Sequence, residues 1–141
     1  MKGAIEMDAR EIMTRDVITL RPETTLDEAT DLLVRYRIHG APVVGPEGQL
    51  LGMVSFLDLA RHVGETATVK DVMTGNPVSA LEDTPIEEVS RLMLDEMVRR
   101  VPIVRGETVV GIVSASDIVQ VFLNLHEQPR RPLVPLTKAR H

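Results

Sequence analysis

The sequence predicts an α/β (α+β) fold in which a β-α-β-β-α unit occurs twice, the two copies packing with pseudo-twofold symmetry. Three observations carry this. First, motifs recur at an offset of 60 residues: Glu11-Ile12-Met13-Thr14 returns as Asp71-Val72-Met73-Thr74, and Ala41-Pro42-Val43-Val44 as Val101-Pro102-Ile103-Val104. Gly52-Met53-Val54-Ser55 with Asp58 then returns as Gly111-Ile112-Val113-Ser114 with Asp117, at an offset of 59, so one loop is a residue shorter. A repeat this long is a supersecondary unit and its copy. Second, each copy alternates short apolar runs with segments at helical spacing. Third, each copy has fewer than 60 residues, marginal for a core of its own, so the copies depend on each other.

Within copy one, Val17-Ile18-Thr19-Leu20 reads as a short strand. Thr25 and Glu28 form a capping box, and Leu26, Ala29, Thr30, Leu33 and Val34 follow at helical spacing. In copy two Thr84 is the expected cap, Pro85 the first helical residue and Glu87 the box partner, ahead of Ile86, Val89, Ser90, Met93 and Met97. A Pro-led apolar strand follows each helix. Turns at Gly45-Pro46-Glu47-Gly48 and Arg105-Gly106-Glu107 lead into strands Leu50 to Ser55 and Val109 to Ser114. The closing helices differ. Phe56 to Val63 is short and interrupted by Arg61 and His62, whereas Ser116 to Leu125 is apolar nearly all round. A helix without a polar face is buried on more than one side, so a homodimer contact through Ile118, Phe122 and Leu125 is expected. Burial under the C-terminal tail is the alternative. The expected boundaries are residues 7–63, residues 68–125 and a Pro/Arg-rich tail, 126–141.

Hydrophobic residues make up 43% of the chain, with two Phe, one Tyr and no Trp, so the core is aliphatic. The absence of cysteine excludes disulfides, thiolate nucleophiles and Cys-based zinc sites. No apolar run has bilayer length, and Met1 to Glu6 lacks the apolar stretch of a secretory signal. A soluble cytoplasmic protein without membrane contact is expected. The tail carries Arg130, Arg131, Lys138 and Arg140 against Glu127, while the other 125 residues hold 12 basic and 20 acidic groups. An acidic body argues against a nucleic-acid partner, and Pro129, Pro132 and Pro135 keep the tail from forming a regular helix. His39, His62, His126 and His141 show no metal-ligand spacing. No nucleophile elbow or Lys-bearing phosphate loop is present. No enzyme activity, catalytic residue, catalytic cofactor or metal site is expected.

Two constellations can carry chemistry. Ser55 and Ser114 stand where a strand passes into a helix, with Asp58 and Asp117 three residues on. One reading is structural: the serines cap, and the carboxylates favour the helix dipole. The other is a ligand site, since a carboxylate accepts two hydrogen bonds from a ribose diol, and helix N-terminal amides suit phosphate oxygens. The helix-to-strand junctions, Ile38-His39-Gly40 and Val98-Arg99-Arg100, each set a branched apolar residue before polar or cationic groups. Such a pair can face a purine and a phosphate, or can be a solvated helix C-terminus.

Met-Thr openings, helix-to-Pro-Val junctions and Gly-h-Val-Ser-x-x-Asp closings (h, an apolar residue) in tandem make the chain resemble a pair of cystathionine-β-synthase (CBS) domains, a Bateman module. The resemblance spans Met7 to Leu125. It implies a stand-alone regulatory module that binds an adenosine nucleotide (AMP, ADP, ATP or an S-adenosylmethionine-like ligand) in clefts between repeats, senses energy state and signals to a partner protein. It also implies pairing into flat dimers. By the resemblance, one cleft joins Ile18, Ile38, His39 and Gly40 to Ser114, Ser116 and Asp117. The other joins Val78, Val98, Arg99 and Arg100 to Ser55 and Asp58. In each, the aspartate of one repeat holds ribose and the apolar junction residue of the other packs on adenine. Small Gly40 and the Ser-Ala-Ser-Asp turn make the first cleft the expected adenine site, with Arg99 and Arg100 meeting phosphates. A dimerisation scaffold with vestigial clefts is the alternative.

Overall fold

The computed structural model describes residues 6–126. The basic tail from residue 127 and the N-terminal Met1 to Ile5 lie outside the described residues.

Both copies share an α-β-β-α frame, with a full opening strand in copy two alone. In copy one, the helix α2 (Leu26–Tyr36) leads to β1 (Gly40–Val44), β2 (Leu50–Ser55) and a short α3 (Phe56–Ala60). In copy two, β4 (Ala80–Leu81) precedes α5 (Ile86–Glu96), β5 (Arg100–Arg105), β6 (Thr108–Ser114) and a longer α6 (Ala115–Leu125). The expected opening strand at Val17 to Leu20 shrinks to one parallel bridge, Leu20 to Val43, whereas β4 pairs with β5 over two residues. Both hairpins are antiparallel, in equivalent registers: Gly40 faces Ser55, and Arg100 faces Ser114. The one-residue difference falls in the hairpin turns, where Gly48 and Gly106 adopt φ of +81° and +62°, values that suit glycine. The two turns also pair with each other, through Leu50 N–H to Glu107 O at 2.9 Å and Val109 N–H to Gly48 O at 3.0 Å.

The sequence does not announce two further short helices, α1 (Ala9–Ile12) and α4 (Val69–Val72), or what they do. Each opens one copy yet packs in the core of the other. Ala9 and Met13 are buried with Val89, Met93, Val101 and Val113 of copy two. Val69 is buried with Leu20, Leu33, Val43 and Val54 of copy one. Thr14 then bridges to Ile112, and β3 (Thr74–Gly75) adds to β2. Neither core is complete without a segment that belongs, by sequence repeat, to its neighbour. Full burial of Leu20, Leu33 and Ile103 stabilises by roughly 1.5–3 kcal/mol each.

Two expectations need correction. Thr25 and Glu28 do form the box, but Thr84 does not cap α5. Its hydroxyl instead accepts the Leu81 N–H at 3.0 Å, as Thr24 accepts that of Arg21 at 3.1 Å. The repeat offset sets Thr84 on Thr24 and Pro85 on Thr25, so copy two holds a proline at the cap, and the Glu87 box does not form. Val34 and Met97, placed in the buried stripes, are 60% and 90% exposed. Met97 leaves its helix in a left-handed conformation that turns it outward. Within the chain α6 faces the core on one side only: Val121 is buried, but Val119, Phe122, Leu123 and Leu125 are each at least half exposed. Ile118 packs on the core of copy two.

Candidate functional site

Two helix ends and two strand-to-helix turns build the site. α2 and α5 each end on a left-handed residue, Arg37 at φ 55° and Met97 at φ 58°. That reversal brings Ile38 and Val98 back under their helices, where their N–H groups bond Leu33 O and Met93 O at 3.0 Å. The next residue's carbonyl is held by the closing helix: Phe56 N–H donates to His39 O at 2.7 Å, and Ala115 N–H to Arg99 O at 2.8 Å. Junction and turn in each copy are therefore one rigid piece.

Each turn is a complete capping box. Ser114 N–H donates to Asp117 Oδ2 at 2.8 Å and Asp117 N–H to Ser114 Oγ at 3.1 Å; the Ser55–Asp58 pair matches at 2.9 and 3.0 Å. Ser116 Oγ lies 3.1 Å from Ser114 Oγ. The cap uses Oδ2 only. Among the described residues nothing bonds Oδ1 of either aspartate, so the structural and ligand roles do not compete. The box aims the carboxylate and leaves one oxygen free.

Between the copies lie two cavities. The first, about 260 Å³, gathers Ile18, Ile38, His39 and Gly40 from copy one with Ser114, Ser116 and Asp117 from copy two. The second, about 970 Å³, gathers Val78, Val98, Arg99 and Arg100 with Ser55 and Asp58. Every residue grouped into a cleft from the sequence lines the corresponding cavity. By volume the second cleft is the roomier.

The sequence reading missed several wall residues. Thr14, Asp16 and Arg37 line the first cleft, and Thr74, Asn76 and Met97 line the second. These pair off at the 60-residue offset, a signal that could have found them. Glu96, Met53 and Ala60 also line the second cleft. Unequal walls follow: the first cleft has Arg37 where the second has Met97.

Arg100 is the departure from symmetry. It stands at the position of Gly40, and His39, Gly40 and Arg100 line both cavities. Its guanidinium is half-buried, and among the described residues no carboxylate pairs with it. Burial pushes it below the ordinary arginine value, and neighbouring Arg99 pushes the same way. A half-buried cation without a partner suits an anion.

Comparison with known proteins agrees with this architecture. A family model of the CBS domain matches residues 9–65 and 69–124. Inosine-5'-monophosphate dehydrogenase of Methanocaldococcus jannaschii is 40% identical over 113 residues, which is 79% of this chain but 23% of that enzyme. The chain thus spans about a quarter of the dehydrogenase. The CBS domain-containing protein YhcV of Bacillus subtilis is 34% identical over 77% of this chain and 81% of its own length. Among solved structures, CBSX2 in complex with AMP, a protein of Arabidopsis thaliana, superposes with a TM-score of 0.81 at 27% identity, covering 86% of this chain and 100% of that one. The CBS domain pair of protein MJ0100, in complex with 5'-methylthioadenosine and S-adenosyl-L-methionine, gives 0.79 at 29%, covering 84% and 98%. Among the described residues no helix is long and apolar enough to cross a membrane. The chain belongs to the CBS-domain family and carries two CBS domains in tandem.

Proposed function

We propose that this CBS pair is a non-catalytic regulatory module that binds an adenosine nucleotide in its clefts and passes the change to a partner protein. The observation that carries this is the first cleft: the free Oδ1 of Asp117 from one copy opposite Ile38 and Gly40 from the other. A carboxylate takes the ribose diol and the branched side chain packs on the purine. His39 and Arg100 line the same cleft and supply the polar and cationic groups for a phosphate or charged end. The similarity to CBS pairs that carry AMP, or methylthioadenosine and S-adenosylmethionine, supports the same ligand class here. Sensing of energy state in the cytoplasm follows from a ligand of the AMP, ADP and ATP series. A thermal-shift panel of AMP, ADP, ATP, S-adenosylmethionine and NAD tests the reading. Ligand at about 100 times its Kd adds about 2.7 kcal/mol, or roughly 5–10 °C; no response to any adenosine compound refutes it.

A second reading, a dimerisation scaffold with vestigial clefts, draws on the exposed apolar row of α6. It expects a dimer that ignores nucleotides. We propose that the module is a homodimer in either case, joined through Phe122 and Leu125, with Ile118 supporting the helix from inside.

A further inference from the structure

The two clefts share a cation. Arg100 lines both cavities, and its Nη1 lies 3.5 Å from the place where a Cβ on Gly40 would stand. The charged groups around it make that sharing consequential. Apart from His39, which lines both clefts, the first cleft sets Arg37 and Arg100 against Asp16 and Asp117. The second sets Arg99 and Arg100 against Asp58 and Glu96. Each wall is balanced only if Arg100 is counted for it. Without that guanidinium, either cleft presents one cation against two carboxylates.

We propose that Arg100 is a single anion-binding residue serving both clefts, so that a phosphate-bearing ligand in one cleft weakens binding of a second such ligand in the other. The inference rests on the nucleotide-binding reading and adds a rule to it: the pair takes one anionic ligand readily, and the remaining cleft favours an uncharged nucleoside. The physical cause is direct. An anion in one cleft draws the guanidinium to itself, and a second anion meets a net-negative wall as well as the first anion's charge across the shared His39–Gly40–Arg100 partition. No comparable penalty falls on adenosine, which brings no charge.

Isothermal titration of AMP and of adenosine tests this on four proteins: wild type, Asp117→Asn, Asp58→Asn and Arg100→Met. The asparagine variants keep an oxygen for the serine N–H, so the capping turn survives while the carboxylate is lost from one cleft; circular dichroism checks the fold. In wild type, one AMP should bind at least about 10-fold more weakly than the same cleft binds it when the other is disabled. Adenosine should fill both clefts with the affinities seen in the single-cleft proteins. Arg100→Met should weaken the first AMP and shrink the AMP coupling to about two-fold or less. Two AMP molecules bound by wild type at their single-cleft affinities, or an Arg100→Met protein with unchanged AMP affinity, would overturn the shared-cation rule while adenosine binding left the proposed function standing. Silence from both adenosine and AMP would overturn the proposed function, and the rule with it.

Discussion

Gly40 and Arg100 hold equivalent places in the two repeats, and the side chain of the second occupies the space beside the first. A Cβ on Gly40 would lie 2.9 Å from the Val54 carbonyl oxygen and 3.5 Å from Arg100 Nη1. The Val54 carbonyl is what demands glycine here, while a methyl would meet the Arg100 guanidinium only at ordinary van der Waals distance. Gly40→Ala would force a rigid backbone carbonyl aside, and such overpacking costs about 1–3 kcal/mol. Urea denaturation should show that loss.

The exchanged opening segments are held by a thioether in a glycine socket. A Cβ on Gly111 would collide with Met13 Sδ, and one on Gly52 would meet Met73 Sδ at 2.6 Å. Met13→Ala should therefore empty a buried site and cost about 2–5 kcal/mol. Gly111→Ala should destabilise by expelling the same side chain. The double variant should be less unstable than the sum of the singles in chemical denaturation, because the new methyl partly fills the space Met13 leaves.

Glu82 clamps the same segment. Its carboxylate takes Arg105 Nε and Nη2 at 2.9 Å each, with Arg10 Nε at 3.9 Å, and its carbonyl accepts the Arg10 N–H at 2.9 Å. The Arg105 hydrogen bonds hold its carboxyl below the ordinary value of 4.5, against a smaller opposing push from burial. A depressed folded value means stability that is complete above about 4.5 and is lost as the pH falls through that lower value. Glu82→Gln should flatten this part of the acid limb, measured as denaturation midpoint against pH, and leave the neutral-to-alkaline limb parallel to wild type.

Asp117 has two duties that separate by substitution. Asp117→Ala should lower stability by about 0.5–2 kcal/mol through the lost box and abolish the first cleft's thermal-shift response. Asp117→Asn should keep most of the stability and still lose the response. A purely structural aspartate would leave ligand binding in the asparagine variant unchanged.

The exposed row on α6 predicts assembly. Phe122 and Leu125 are 56% and 50% exposed, and a charge there cannot disturb the core that Val121 and Ile118 serve. Phe122→Asp should convert a dimer to a monomer in analytical ultracentrifugation while circular dichroism stays the same.

By itself, the sequence determined the repeat and the order of the main strands and helices within each copy, and with the family resemblance it grouped residues into two clefts. The repeat and the element order follow from spacing, because period and offset survive any packing, whereas the cleft grouping is what the resemblance to CBS pairs implies. Helix ends were less legible: Thr84 resembles a cap until the offset sets it against Thr24 rather than Thr25. The tertiary structure decided three things that local pattern does not encode. It sent α1 and α4 into each other's copies, since an apolar turn is buried wherever a complementary core lies open. It made the second cleft the larger, because cavity volume depends on how whole copies sit together. It also set Arg100 between the clefts beside Gly40, a meeting of residues 60 positions apart that only the folding of one copy against the other brings about.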